Sequence, residues 1–206
     1  LMSQGKEPNL AHLDGDTEGD IEPALQTEII EALKEAHFDE FGNDALKRNV
    51  ASGSLDLCFT QLGDFFDALY LAYSEGKNEI DFNVNVPSTS AAFFDAMVIP
   101  TTCQNETLAN AFIDFMLQED HAYQNATAIG YSPCLKSVCE RYRVEAEAGA
   151  YYYGDATTKN ALLLKDFLAR YPMYLNPFGS VSHLYLFEPK SNEYLTTCES
   201  IFNSLA

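Results

Sequence analysis

Two short segments decide how this chain is read: Ala92-Phe93-Phe94-Asp95-Ala96-Met97-Val98-Ile99-Pro100 and, further on, Ala128-Ile129-Gly130-Tyr131-Ser132-Pro133. The first reads as a strand, Phe93 to Ile99, apolar except at Asp95. A carboxylate in such a setting needs a partner if it is buried. Between the segments, Thr101 to Asn105 read as a turn. Ala109, Phe112, Ile113 and Met116 recur at helical spacing and predict one amphipathic helix. Asp120 is placed to cap a second, shorter helix. Tyr131 then follows Gly130 at a turn, where a large aromatic ring is less often core.

Working outward, Leu1 to Gly19 is polar and turn-rich and reads as a loop. From Asp20, the residues Ile21, Leu25, Ile29, Leu33 and Ala36 make one apolar helical face, with Pro23 in the tolerated first turn. A short helix from Ala45 to Ala51 is expected, preceded by a Gly42-Asn43-Asp44 turn and ended by Gly53. Leu55 to Thr60 reads as a compact apolar strand. It runs into Gln61-Leu62-Gly63-Asp64, where Asp64 with Asp67 looks like a capping pair for a helix from Phe65 to Ser74. Gly76 ends that helix. Ile80, Phe82, Val84 and Val86 alternate with Asp81, Asn83 and Asn85 and predict a half-buried strand, broken by Pro87 and Ser88 to Ser90. Three helices are expected after Pro133, near 133–142, 157–169 and 191–204, with Tyr151-Tyr152-Tyr153 as packing or surface. Ligands in α/β folds gather where strand ends meet helix starts, which makes Gln61 to Asp64 the second candidate site segment.

The composition narrows the function classes. Twelve basic and 31 acidic residues give a formal charge of −19. Nucleic acid demands a basic face, so it is an unfit partner. Most of these carboxylates are expected to be solvated surface. Five cysteines cannot all pair within one chain, and Cys134 and Cys139 lack a zinc-ligand spacing, so buried thiols are expected. The four histidines, His12, His37, His121 and His183, form no ligand motif. Nucleophile-elbow, zinc-protease and phosphate-loop motifs are all absent, so no enzyme is expected, and no catalytic residue, metal or cofactor is assigned. Two glycosylation sequons, at Asn105 and Asn125, are of a kind that arises by chance. No run of about 18 apolar residues of the sort that crosses a membrane as a helix is present.

With its aromatic-x-Asp-x-x-x-Ile-Pro segment, the following helix pair and the Ile129-Gly130-Tyr131 turn, the chain resembles the extracytoplasmic solute-binding proteins of ABC importers, in particular the spermidine/putrescine-binding type. The resemblance implies that Phe93, Asp95 and Tyr131 hold a cationic ligand. In that family a Gly-containing turn after a strand carries an aromatic residue that walls the ligand. Aligned from Gly53, this chain has Gln61 at that position. A polyamine needs carboxylates at its ammonium groups and aromatic faces along its methylenes. Asp95 would supply the carboxylate, Phe93 the ring, Tyr131 a ring or hydroxyl, and Gln61 an amide oxygen. One carboxylate cannot neutralise a diamine, so a second is expected from outside this chain. Anion binding at the Gly63 helix start ranks lower, because Asp64 would repel an anion.

The expected fold is therefore α/β, periplasmic-binding-protein type 2-like and truncated at its N-terminus. Residues 1–88 would form part of the second lobe, 89–135 a crossover into the remainder of the first, and 136–206 the C-terminal helices. The expected function is the substrate-binding component of an ABC importer, extracytoplasmic and either lipid-anchored or fused to its permease. Its partners would be a polyamine and that membrane permease. A binder of another amine, an amino acid or an anion on the same fold, or a surface interaction module outside transport, is the alternative.

Overall fold

A computed structural model describes residues 23–38, 42, 44–77, 79, 81–92, 95–186 and 192–205. These residues are divided between two compact units. One is drawn from Leu1–Phe41, Ala91–Phe93 and Tyr185–Ala206, the other from Gly42–Ser90 and Phe94–Leu184. The described elements mix helices with short strands, which is compatible with an α/β binding-protein fold.

In the first unit, helix α1 (Pro23–Glu35) packs against α8 (Asn192–Asn203). The expected stripe on α1 is in place, with Leu25, Ile29 and Leu33 half-buried. On α8, Thr197 and Ile201 are buried.

The second unit is built around α3 (Leu62–Ser74). It carries Phe65, Phe66, Ala68, Leu69 and Ala72 into the core. Phe66 is wholly buried, and its ring meets Tyr174 edge-on at 4.9 Å and Phe167 at 5.6 Å. Tyr152 stacks on Phe167 at 3.7 Å, and its hydroxyl donates to the Phe66 carbonyl at 3.3 Å. Burying one such ring stabilises the fold by about 1.5–3 kcal/mol. Helix α3 stops at Gly76, whose φ of 73° only glycine adopts without strain. There the Lys77 and Gly76 amides return to the Ala72 and Tyr73 carbonyls and satisfy two orphan acceptors.

Around α3 lie α2 (Asp44–Ser52), α5 (Glu119–Ile129), α6 (Lys136–Glu147) and α7 (Leu164–Arg170), with the hairpin strands β2 (Tyr151–Tyr153) and β3 (Leu162–Leu163). Pro172 opens a single 3-10 turn to Tyr174. Helix α4 (Glu106–Met116) is capped by the Asn105 side chain, which accepts from the Leu108 amide at 3.0 Å. No residue of α4 is buried, and Phe112 and Leu108 are largely exposed. No helix of the described residues is long and apolar enough to cross a membrane.

Several sequence expectations are corrected. Residues 55–60 form no strand, and Leu57 and Phe59 are 76% and 75% exposed. An apolar run becomes a strand only with a partner for its amides, and none pairs here among the described residues. Residues 81–87 keep the predicted alternation, with Phe82 buried between exposed Asp81 and Asn83, but they join no ladder. The Phe82 carbonyl instead accepts from the Arg170 guanidinium at 2.7 Å and the Tyr171 hydroxyl at 2.9 Å. The strand expected at Phe93 to Ile99 lies earlier: β1 runs Thr89–Ala92 and pairs with β4 (His183–Leu186). Asp95 to Val98 are exposed and outside any strand. The caps also move. Gln61 and Gln118 precede α3 and α5, which places Asp64 and Asp120 inside the first turns. No cysteine is fully buried, and Cys134 is exposed.

Candidate functional site

Helix α3 begins just after the largely exposed loop Leu57–Thr60, with Gln61 exposed at its cap, Asp64 half-buried in its first turn, and Gly63 and Phe65 buried there. Gln61, at the cap position, has extended backbone (φ −71°, ψ 150°), and its carbonyl accepts the first helical bond from Phe65. Its side chain makes no cap and is left to reach outward. It meets Tyr131, whose hydroxyl donates to Gln61 Oε1 at 2.7 Å.

Tyr131 reaches this point because α5 ends at Gly130, with φ 72°, in a left-handed turn that re-aims the chain. The ring then packs on Gly63, where a Cβ would overlap its edge. Gly130 itself lies close to the Gly63 carbonyl, so the two backbones approach directly. The amide at position 61 therefore does not mimic a stacking surface. It fixes the phenol of the second aromatic candidate.

Carboxylates surround this pair. Asp64, in the first turn of α3, accepts from the Thr60 hydroxyl at 3.3 Å. A negative charge there also complements the helix N-terminus. Lys47 of α2 lies 3.4 Å from Asp64 and 3.2 Å from Asp67, bridging two acids one turn apart. The Tyr131 phenol is held above its ordinary value first by burial, then by Asp64 and Asp95, with Asp67 adding to them and Lys47 opposing. Burial, and then Asp64, also raise the Cys58 thiol. Loss of a proton near these acids adds negative charge to a negative place, which is disfavoured.

Of the sequence candidates, Gln61 and Tyr131 are in direct contact, and Asp95 lies within electrostatic reach of Tyr131. Phe93 lies outside the described residues. Lys47 was not anticipated. Its signal was indirect: Asp64 and Asp67 stand on one helical face three residues apart, a pair that invites a single cation. Among the described residues, no group of histidine, cysteine and carboxylate side chains could hold a metal ion. The arrangement offers a phenol, an amide, three acids and the Lys47 ammonium.

No solved structure matches the chain. The bacterial extracellular solute-binding protein family matches residues 14–150, which take in α1 to α6 together with Gln61, Asp95 and Tyr131. On that match over most of its length, the chain belongs to the bacterial extracellular solute-binding protein family.

Proposed function

We propose that this chain is the substrate-binding component of an ABC importer, on a type 2 binding-protein fold, and that it delivers a polyamine such as spermidine or putrescine to a membrane permease. Its family implies an extracytoplasmic location, a small solute and a membrane transporter as partner, and is generally non-enzymatic. The observation that supports the cationic reading is the environment of Tyr131: its phenol is tied to Gln61, and the carboxylates Asp64, Asp95 and Asp67 act on it, opposed by the single ammonium of Lys47. A protonated amine is attracted to such a place, and an anion is repelled.

Asp95 accepts the ligand ammonium in this reading, and Tyr131 and Phe93 line its hydrocarbon. Gln61 holds the phenol in position. The segment at Asp95 is the crossover between lobes. Closure on the ligand presents the closed form to the permease.

Calorimetric titration with spermidine and putrescine tests this. Asp95→Ala is expected to weaken binding at least tenfold, in keeping with the roughly 1.5–3 kcal/mol of a charge-assisted hydrogen bond. Equal affinity in the variant would remove Asp95 from the site. Stabilisation by an amino acid or anion, and by no amine, in a thermal-shift screen would assign a different solute.

A further inference from the structure

We propose that Lys47 is a specificity-determining residue: its ammonium occupies the position of a second ligand ammonium and limits this wall of the site to one. The inference rests on the organic-cation reading above. Asp64 and Asp67 lie on the same face of α3, and Lys47 reaches both, at 3.4 and 3.2 Å. The Lys47 and Asp64 side chains are 22% and 14% exposed, so the pair is largely withdrawn from solvent. An ion pair in that position is stronger than a surface pair, and removing the lysine leaves the Asp64 carboxylate uncompensated; Asp67, the other partner, is 55% exposed.

Asp95 differs from these two acids. It is exposed, it comes from a separate segment, and no cation is paired with it among the described residues. Three carboxylates thus act on Tyr131, but Lys47 already bridges two of them. A ligand reaching Gln61 and Tyr131 finds one acid ready for an ammonium. It also finds a fixed positive charge that repels a second ammonium brought close to the first.

Lys47 comes from α2, whereas Asp64 and Asp67 come from α3. The cation is therefore part of the packing of two helices, and it does not leave when the ligand does. Valence selection of this kind works by built-in repulsion as much as by attraction.

The test compares putrescine, a diamine, with butylamine, a monoamine of the same carbon count, by calorimetry on the full chain. Wild type, Lys47→Gln and Lys47→Arg are measured, with Lys47→Met as a second charge-removing variant and a thermal melt to check folding. Removing the charge frees Asp64 and Asp67 for a ligand ammonium. The putrescine-to-butylamine affinity ratio is expected to rise at least tenfold in Lys47→Gln and Lys47→Met and to stay at the wild-type value in Lys47→Arg. A ratio indifferent to Lys47, in a protein whose amine binding still depends on Asp95, overturns this inference and leaves the organic-cation reading intact. Absence of binding by either amine to wild type overturns both.

Discussion

Tyr131 and Gly63 fit because one of them has no side chain. A methyl group at position 63 would overlap the Tyr131 ring, while position 63 itself lies inside α3, where alanine is the better helix former. Gly63→Ala therefore separates two effects. The ring is displaced and its 2.7 Å bond to Gln61 is lost, but the helix gains roughly 1 kcal/mol of intrinsic preference. Putrescine affinity is expected to fall at least tenfold in calorimetry while the melting temperature moves by only a few degrees; retained affinity would show that the ring is no part of the site. At this scale the sequence was informative about chemistry. Asp95 stood out as a lone acid in an apolar run, Tyr131 as an aromatic after a glycine turn, and Gln61 as an amide at the start of a helix. What it did not display is who touches whom. The Tyr131–Gln61 bond spans 70 positions, and Lys47 joins the acids only through the packing of α2 on α3.

Helices were more legible than strands, for a local reason. A helix satisfies its own amides, so periodicity is enough to find α1 and α4, and a terminal glycine to end α2 and α3. A strand is defined by a partner elsewhere, and the apolar runs at 55–60 and 80–86 reveal none. The helix expected over 157–169 is shortened to its second half by competition. Asp155 Oδ1 accepts from the Thr157 amide at 2.8 Å and hydroxyl at 2.7 Å, and from both groups of Thr158 at 3.1 Å. Past that turn, Leu162 and Leu163 pair as β3 with β2, so α7 begins only at Leu164. The same turn, with the Thr157 hydroxyl as its main contributor, holds the Asp155 carboxyl below its ordinary value of 3.8. A depressed folded-state value means stability that is present above the ordinary Asp range and lost as pH falls through the lowered one. Urea denaturation between about pH 6 and pH 2 should therefore show a steeper loss in wild type than in Asp155→Asn, where this contribution is absent. Parallel curves would assign the acid sensitivity elsewhere. Helix α4 gives a different lesson: its stripe at Ala109, Phe112, Ile113 and Met116 correctly forecasts a helix, yet periodicity does not say what will cover it, and none of its residues is buried.

For the whole molecule, the formal charge of −19 sets the response to salt. Like charges repel one another in the compact state, and added salt shortens their reach to a few ångströms near 1 M. Raising sodium chloride from about 0.05 to 0.5 M is expected to increase the melting temperature of the ligand-free protein while weakening putrescine binding. Stability and affinity moving in the same direction would argue against an electrostatic site. The family match agrees with the solute-binding class implied by the resemblance that the Asp95 and Tyr131 segments carry. The division into two units was beyond the reach of periodicity. It depends on the described residues of the distant segments 91–92, 185–186 and 192–205 grouping with α1, and no local pattern records such a return.

The direct approach of Gly130 to the Gly63 carbonyl, with Tyr131 lying over the same glycine, also constrains how this chain can vary over generations. The three positions form one heritable unit. A lineage that acquires a side chain at 63 must surrender the ring at 131, and one that replaces Gly130 loses the turn that brings the ring there. Drift at these sites is expected to be correlated, so relatives of this protein should divide into those that carry the whole set and those that have abandoned it together.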